Sequence, residues 1–187
     1  HRLFRRQRQM CIRDSSKGIG ASTAQILAEA GSDVVITGRD LDGLKETQEN
    51  IESLGRKCLV IEADLSLENE ANKVADEALE VFGTIDILVN NAGTALLENI
   101  LSTSNEDWDK VQSVNLKTPF ILAKLLAPNM IKQKSGKIVN ISSVASEFAL
   151  QDHIAYSVSK SGLNMLTKSM TVEWAKHNIQ TNSVCPT

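Results

Sequence analysis

Stretches patterned as strands and stretches patterned as helices alternate along this chain, and that alternation limits the folds open to it. Residues 20–30 carry Ala21, Ala24, Ile26, Leu27 and Ala30 at helical spacing and stop at Gly31, a helix-ending residue. Val34-Val35-Ile36 is a short apolar run of the buried-strand type. The spacing then predicts helices over 41–54, closed by Gly55, and 68–82, closed by Gly83, with a strand over 58–63 between them. Further strands are predicted over 85–90, 137–141 and 181–185, and helices over 105–133 and 156–177. Strand–helix alternation implies a parallel sheet covered by helices on both faces, with right-handed crossovers. The expected fold is α/β, a doubly wound parallel sheet. Ligands in such sheets sit beyond the carboxyl ends of the strands, where the strand order switches.

The chain has 187 residues, 42% hydrophobic and 23% charged, enough for one domain with a sizeable core. No apolar run approaches the ~20 residues needed to span a bilayer, so no membrane partner is expected. Net charge is −3, which gives no reason to expect nucleic acid. Cys11, Cys58 and Cys185 show no C-x-x-C spacing. We expect neither a disulfide framework nor a metal site, and a cytoplasmic location.

The first 14 residues differ from the rest. Arg2, Arg5, Arg6, Arg8 and Arg13 are followed by a single acid, Asp14. A targeting presequence and a basic arm for nucleic acid both have this composition. The run Arg5 to Asp14 also resembles the translation of a transposon-end sequencing adapter. On that reading residues 1–14 are a non-native scar and residues 15–187 the functional domain. The sheet's first strand is then replaced and its last strand missing, in a piece of a longer protein. Met10-Cys11-Ile12 is apolar enough to pair as a substitute first strand.

The candidate site begins at Tyr156 and Lys160. Residues four apart share a helix face, so a phenol and an ammonium lie side by side. A free tyrosine titrates near pH ~10. An adjacent cation favours the phenolate and lowers that value. Such a tyrosine can exchange protons with an alcohol or a carbonyl oxygen. Ser143, 13 residues upstream, offers a hydroxyl to hold the same oxygen. Tyr and Lys are common helix residues, so the pair taken singly also fits a plain helix face.

Ser15-Ser16-Lys17-Gly18-Ile19-Gly20 opens the first helix. Glycines there let backbone approach a pyrophosphate, and the free N–H groups of a helix start bind it; a simple loop has the same sequence. Beyond the next strand, Gly38 and Arg39 offer no acid for ribose hydroxyls. Arg39 with Lys17 suits a 2′-phosphate, favouring NADP(H) with NAD(H) possible, unless both are solvated surface charges. Asp64, followed by Leu65, could accept from an adenine amino group or serve a turn. Asn90-Asn91-Ala92-Gly93 would bring backbone close to a ligand, or is turn chemistry. Asn115 precedes Pro119 by four. Proline has no N–H, so the Asn115 carbonyl loses its helical partner. Either a water takes that place or the helix kinks.

Gly18-Ile19-Gly20, Asp64, Asn90 to Gly93, Asn115, Ser143, Tyr156 and Lys160 together resemble the short-chain dehydrogenase/reductase family, over residues 15–187. The resemblance implies a Rossmann NAD(P)-binding domain that also holds the catalytic residues. It implies Tyr156 as acid/base and Lys160 as its modulator and a ribose binder. By the same resemblance Ser143 holds the substrate oxygen and Asn115 serves a proton relay. Ser16 to Gly20, Asn91, Ala92, Gly93 and Pro186 would line the cofactor. The family's Thr-Gly before the glycine loop is absent, with Ile12 and Arg13 in its place. His153, Tyr156, Met165 to Lys168, Pro186 and Thr187 resemble the branch that reduces ketoses and small dicarbonyls, while a 3-oxoacyl or steroid substrate stays open. The family further implies a homotetramer or homodimer built on the helices of Asn105 and Tyr156. An inactive truncated or chimeric fragment that keeps the nucleotide fold is the alternative.

Overall fold

The computed structural model describes residues 8–187, so Arg2, Arg5 and Arg6 of the basic arm lie outside the described residues. Strands β1 (Gln9–Arg13), β2 (Asp33–Gly38), β3 (Cys58–Glu62), β4 (Ile87–Asn90), β5 (Gly136–Ile141) and β6 (Ile179–Val184) form one sheet. The helices are α1 (Gly18–Glu29), α2 (Leu41–Ser53), α3 (Glu68–Phe82), α4 (Asn105–Gln112), α5 (Thr118–Gln133) and α6 (Ile154–Trp174). Every strand pair is parallel, in the order β3-β2-β1-β4-β5-β6. The order reverses between β1 and β4, which opens a crevice at their carboxyl ends.

Side chains alternate across a strand, and here the alternation feeds two cores. Met10, Ile12, Val34, Ile36 and Val89 pack with Ala24, Ala28, Leu44 and Ile51 of α1 and α2. Cys11, Val35, Leu88 and Ile138 pack with Val74, Ala78, Leu122 and Leu126 of α3 and α5. Met10, Cys11 and Ile12 are completely buried, because the adapter-like run forms the central strand between β2 and β4. Truncating a side chain such as Ile12 to Ala would cost about 2–5 kcal/mol.

Glycines close the helices where expected. Gly31, Gly55 and Gly83 have φ of +94, +71 and +73, a conformation that side chains resist. The helix expected over 105–133 is not a single α-helix. It divides at a π turn, Ser113–Lys117, whose end is marked by the Thr118 N–H bonding the Ser113 carbonyl five residues back. Pro119 cannot donate to Asn115, and the chain answers by widening one turn without breaking. The helix expected over 156–177 starts earlier, at Ile154, and tightens to a 3-10 turn over Ala175–His177.

Among the described residues no helix is long and apolar enough to cross a membrane, and no cluster of His, Cys, Asp or Glu could hold a metal ion. The three cysteines are unpaired, with Cys11 buried and Cys185 exposed. Burial pushes the Cys11 thiol up to about 12.

Candidate active site

Helix α6 carries Tyr156 and Lys160 on one face, with the Lys160 Nζ 5.6 Å from the centre of the Tyr156 ring. Lys160 is buried, and its ammonium donates to the Ile141 carbonyl at 2.7 Å. Burial lowers its pKa to about 8, with the charge of Arg13 adding to the effect and Cys185 opposing it. Tyr156 is half-buried, its ring edge-on to His153 at 6.4 Å. The ammonium is thus held under the phenol by the end of β5, not by helix spacing alone.

Ser143 leaves the end of β5 in extended conformation and accepts from the Ala145 N–H at 3.2 Å. Its segment is fastened to α6: Ser142 donates to the Lys160 carbonyl, and Ser161 to the Ser146 carbonyl at 2.7 Å. Pro186 follows β6, and its carbonyl accepts from Val144. The ends of β5 and β6 and the first turns of α6 therefore form one bonded unit.

Asn115 lies in the π turn, buried, and its side-chain amide is fully engaged. It donates to the Thr94 carbonyl at 2.9 Å and the Ser159 hydroxyl at 3.0 Å, and accepts from the Thr94 N–H at 2.8 Å. The side chain clips the irregular segment after Asn91-Ala92-Gly93 against α6. Gly93 fits inside this bracket: a Cβ there would stand 3.3 Å from the Lys160 Nζ and 3.6 Å from the Asn115 Oδ1. Thr94 and Ser159 belong to this bracket and are not identifiable from sequence, because both act through bonds to partners distant along the chain.

The crevice itself is a cavity of about 240 Å³, walled by Lys17, Arg39, Asp64, Leu65, Ala92 and Gly93 with their neighbours. Asp64 accepts from the Ser66 N–H at 2.9 Å, and that bond lowers its pKa, so the carboxylate stays ionised. The Leu65 carbonyl takes the Thr118 hydroxyl at 2.7 Å, tying this wall to α5. Arg39 is exposed at the cavity edge. Lys17 is exposed too, but its ammonium is already paired with Asp40 at 2.8 Å. Ser16, Gly18 and Ile19 lead into α1, with Gly18 at φ +55. Gly20 is the close-approach glycine: a Cβ would fall 1.9 Å from the Asp14 carbonyl oxygen and 2.7 Å from the Asn91 Nδ2.

The tight turn falls at Asp14, four residues before Gly18, where a Thr-Gly-x-x-x-Gly-x-Gly count places its first glycine. Asp14, not Arg13, adopts the left-handed conformation, at φ +51. Arg13 turns inward instead and is completely buried. Its guanidinium donates to the Asn90 Oδ1 at 3.3 Å and the Val114 carbonyl at 2.7 Å. Asn90 passes the chain on to Asn140 at 2.8 Å, and Asn140 to Thr167 at 2.8 Å. This polar row crosses beneath the site from β1 to α6. A sequence pattern gives no warning of it, because a charged side chain at a strand end is ordinarily assigned to the surface.

The arrangement can position a planar nucleotide along the Asp64 wall and present a proton-exchanging phenol at the other end. The residues fit a dinucleotide: glycines where a Cβ would block the backbone, an anionic acceptor at one wall, a cation at the mouth. Residues 8–187 match the pattern of the short chain dehydrogenase family. An uncharacterized oxidoreductase of Thermotoga maritima is 41% identical over 175 residues, 94% of this chain and 69% of that protein. The 2-dehydro-3-deoxy-D-gluconate 5-dehydrogenase of Escherichia coli is 41% identical over 170 residues, 90% of this chain and 66% of the relative. The chain thus spans about two-thirds the length of these relatives. A metagenomic short-chain oxidoreductase solved in complex with NADP superposes with a TM-score of 0.92 at 35% identity, covering 96% of this chain and 81% of that one. Strand order, helix-borne Tyr156 and Lys160, and the matched sequence all converge: this chain belongs to the short-chain dehydrogenase family.

Proposed function

We propose that the protein transfers a hydride between NADP(H) and a carbonyl or secondary-alcohol substrate. The observation that carries this reading is the Lys160 ammonium, buried beneath the Tyr156 ring and against Gly93, which walls the cleft. When bound, the nicotinamide cofactor supplies or accepts the hydride. The chain's residues do the rest. Tyr156 gives its proton to the carbonyl oxygen in reduction and takes it back in oxidation. Lys160 stabilises the phenolate left behind, since a fixed cation favours the anionic form. Ser143 donates a hydrogen bond to the same oxygen. Asn115 acts as a positioning residue through Thr94 and as part of the route by which Lys160 regains a proton. Asn91, Ala92, Gly93, Asp64 and Leu65 hold the nucleotide, Ser16 to Gly20 its pyrophosphate, and Pro186 the nicotinamide end.

Arg39 supports NADP(H) over NAD(H), because Gly38 and Arg39 bring a cation and no acid to the end of β2. The substrate class supported best is a ketose, polyol or small dicarbonyl, a class near the keto-sugar acid of the Escherichia coli relative's name. A 3-oxoacyl substrate is the second possibility. A homodimer or homotetramer through α6 is supported by Val158, Met165 and Val172, exposed at seven-residue intervals along that helix. The cytoplasm is the proposed location. The competing reading is a nucleotide-binding fragment without activity, with residues 1–14 of foreign origin. Absorbance at 340 nm with NADPH and a panel of ketoses, dicarbonyls and 3-oxoacyl thioesters separates the two. Oxidation of NADPH by the unmodified chain, and not by Tyr156→Phe, supports the enzyme. Tight NADPH binding without turnover supports the fragment.

A further inference from the structure

Asp14 stands on the wall of the cleft with no part in the chemistry above. It sits where β1 ends, and its backbone is fastened on several sides. The Asn91 amide donates to the Asp14 carbonyl at 3.0 Å. Its neighbour Ser15 donates to the Thr37 carbonyl at 3.2 Å and accepts the Thr47 hydroxyl at 2.9 Å. From the α1 side, Gly20 approaches so closely that no Cβ would fit against the Asp14 carbonyl. The backbone therefore has no freedom to carry the side chain away.

The Asp14 carboxylate points toward the end of the neighbouring strand. Its Oδ1 lies 3.6 Å from where a Cβ of Gly38 would be, and it accepts the Ser16 hydroxyl at 3.2 Å. Dinucleotide folds place the adenosine ribose near the end of that strand, where an acid grips the ribose hydroxyls. Gly38 has no side chain to offer. The space it leaves is entered by Asp14, from the next strand over. A carboxylate accepts from a vicinal diol and opposes a 2′-phosphate, a group of about −1.5 to −2 charge. Of the cations lining the cleft, Lys17 is committed to Asp40, while Arg39 and Lys110 face it outside any ion pair among the described residues.

We propose that Asp14 is a specificity-determining residue that takes the place of the missing acid at Gly38, accepting from the ribose hydroxyls and opposing the 2′-phosphate that Arg39 attracts. The chain thereby accepts both cofactor forms more evenly than Arg39 alone would allow. The inference rests on the nucleotide reading of the cleft.

The test is calorimetric titration of the unmodified chain, Asp14→Asn and Asp14→Gly with NADP+ and NAD+ in parallel. Asparagine keeps the shape, removes the charge and tolerates the left-handed backbone; glycine removes the side chain without strain. Both variants should bind NADP+ more tightly by roughly five- to tenfold, the order expected for one charge contact open to solvent. NAD+ affinity should stay the same or weaken. An equal gain for both nucleotides overturns the proposal, because Asp14 would then act only on the pyrophosphate they share. An unchanged ratio overturns it as well. Failure of all three proteins to bind either nucleotide instead removes the nucleotide reading, and the proposal with it.

Discussion

At the Tyr156 end of the cleft, bonds converge on the reacting groups; at the glycine-loop end, charges crowd together. Asn115 uses its whole amide to join Thr94 and Ser159, and Lys160 is seated on the Ile141 carbonyl. At the other end, Asp14 holds a left-handed backbone, Lys17 is paired across the loop with Asp40, and Gly20 leaves no space for a Cβ. Both ends share the buried polar row from Arg13 through Asn90 and Asn140 to Thr167. The difference teaches that the proton-transfer end depends on buried geometry. The nucleotide end depends on a balance of exposed charge, which single substitutions can tilt.

The sharpest way to break this contrast is Tyr156→Phe. The ring stays and the proton donor goes, so kcat should fall by at least ~10²-fold, the lower range for general acid–base catalysis. NADPH affinity measured by fluorescence should change little. Near-normal turnover would show that the convergence at this end serves packing alone.

Gly20→Ala should be the most damaging change at the other end. The added carbon collides with backbone, not with a flexible side chain. Overpacking of this kind costs about 1–3 kcal/mol. Gly18→Ala meets no atom and has only its φ of +55 to resist, at roughly 1 kcal/mol. Thermal melts of the two variants should rank in that order. The reverse order would mean that backbone conformation, not close approach, governs the loop.

Lys160 gives the comparison a pH axis. With its pKa lowered to about 8, the ammonium loses its proton as pH rises through that value. The cation that favours the Tyr156 phenolate fades with it, so kcat for oxidation of an alcohol should stop rising, then fall, above about pH 8. Lys160→Arg should move that limb to higher pH. Stability follows the opposite sign: between about 8 and the ordinary lysine value the unfolded chain holds more protons, so this group's share of stability increases with pH. A kcat profile identical in the arginine variant would exclude Lys160 as the titrating group.

The smallest effects belong to the exposed cations. Arg39→Asp should shift the ratio of kcat/KM for NADPH over NADH toward NADH by roughly tenfold or more. Lys17→Ala should shift it less, because its ammonium is already spent on Asp40. If Lys17 proves the stronger determinant, the pair with Asp40 opens when nucleotide binds.

Much of this molecule is written in its local pattern. The period of the apolar residues, and Gly31, Gly55 and Gly83 after them, determine where the helices run and stop, because a glycine with positive φ and a 3.6-residue stripe are local requirements. The four-residue step from Tyr156 to Lys160 likewise puts both residues on one helix face, while the Ile141 carbonyl holds the ammonium under the phenol. Pro119 announces a missing hydrogen bond after Asn115, yet only the packed helix shows that a π turn absorbs it. Tertiary structure alone decides that Arg13 lies inward and that the Asp14 carboxylate reaches the space beside Gly38. The physical reason is distance along the chain. Arg13 meets Asn90 and Val114, and Asn115 meets Ser159, across dozens of residues, and such pairings exist only after the sheet has brought its strands into register.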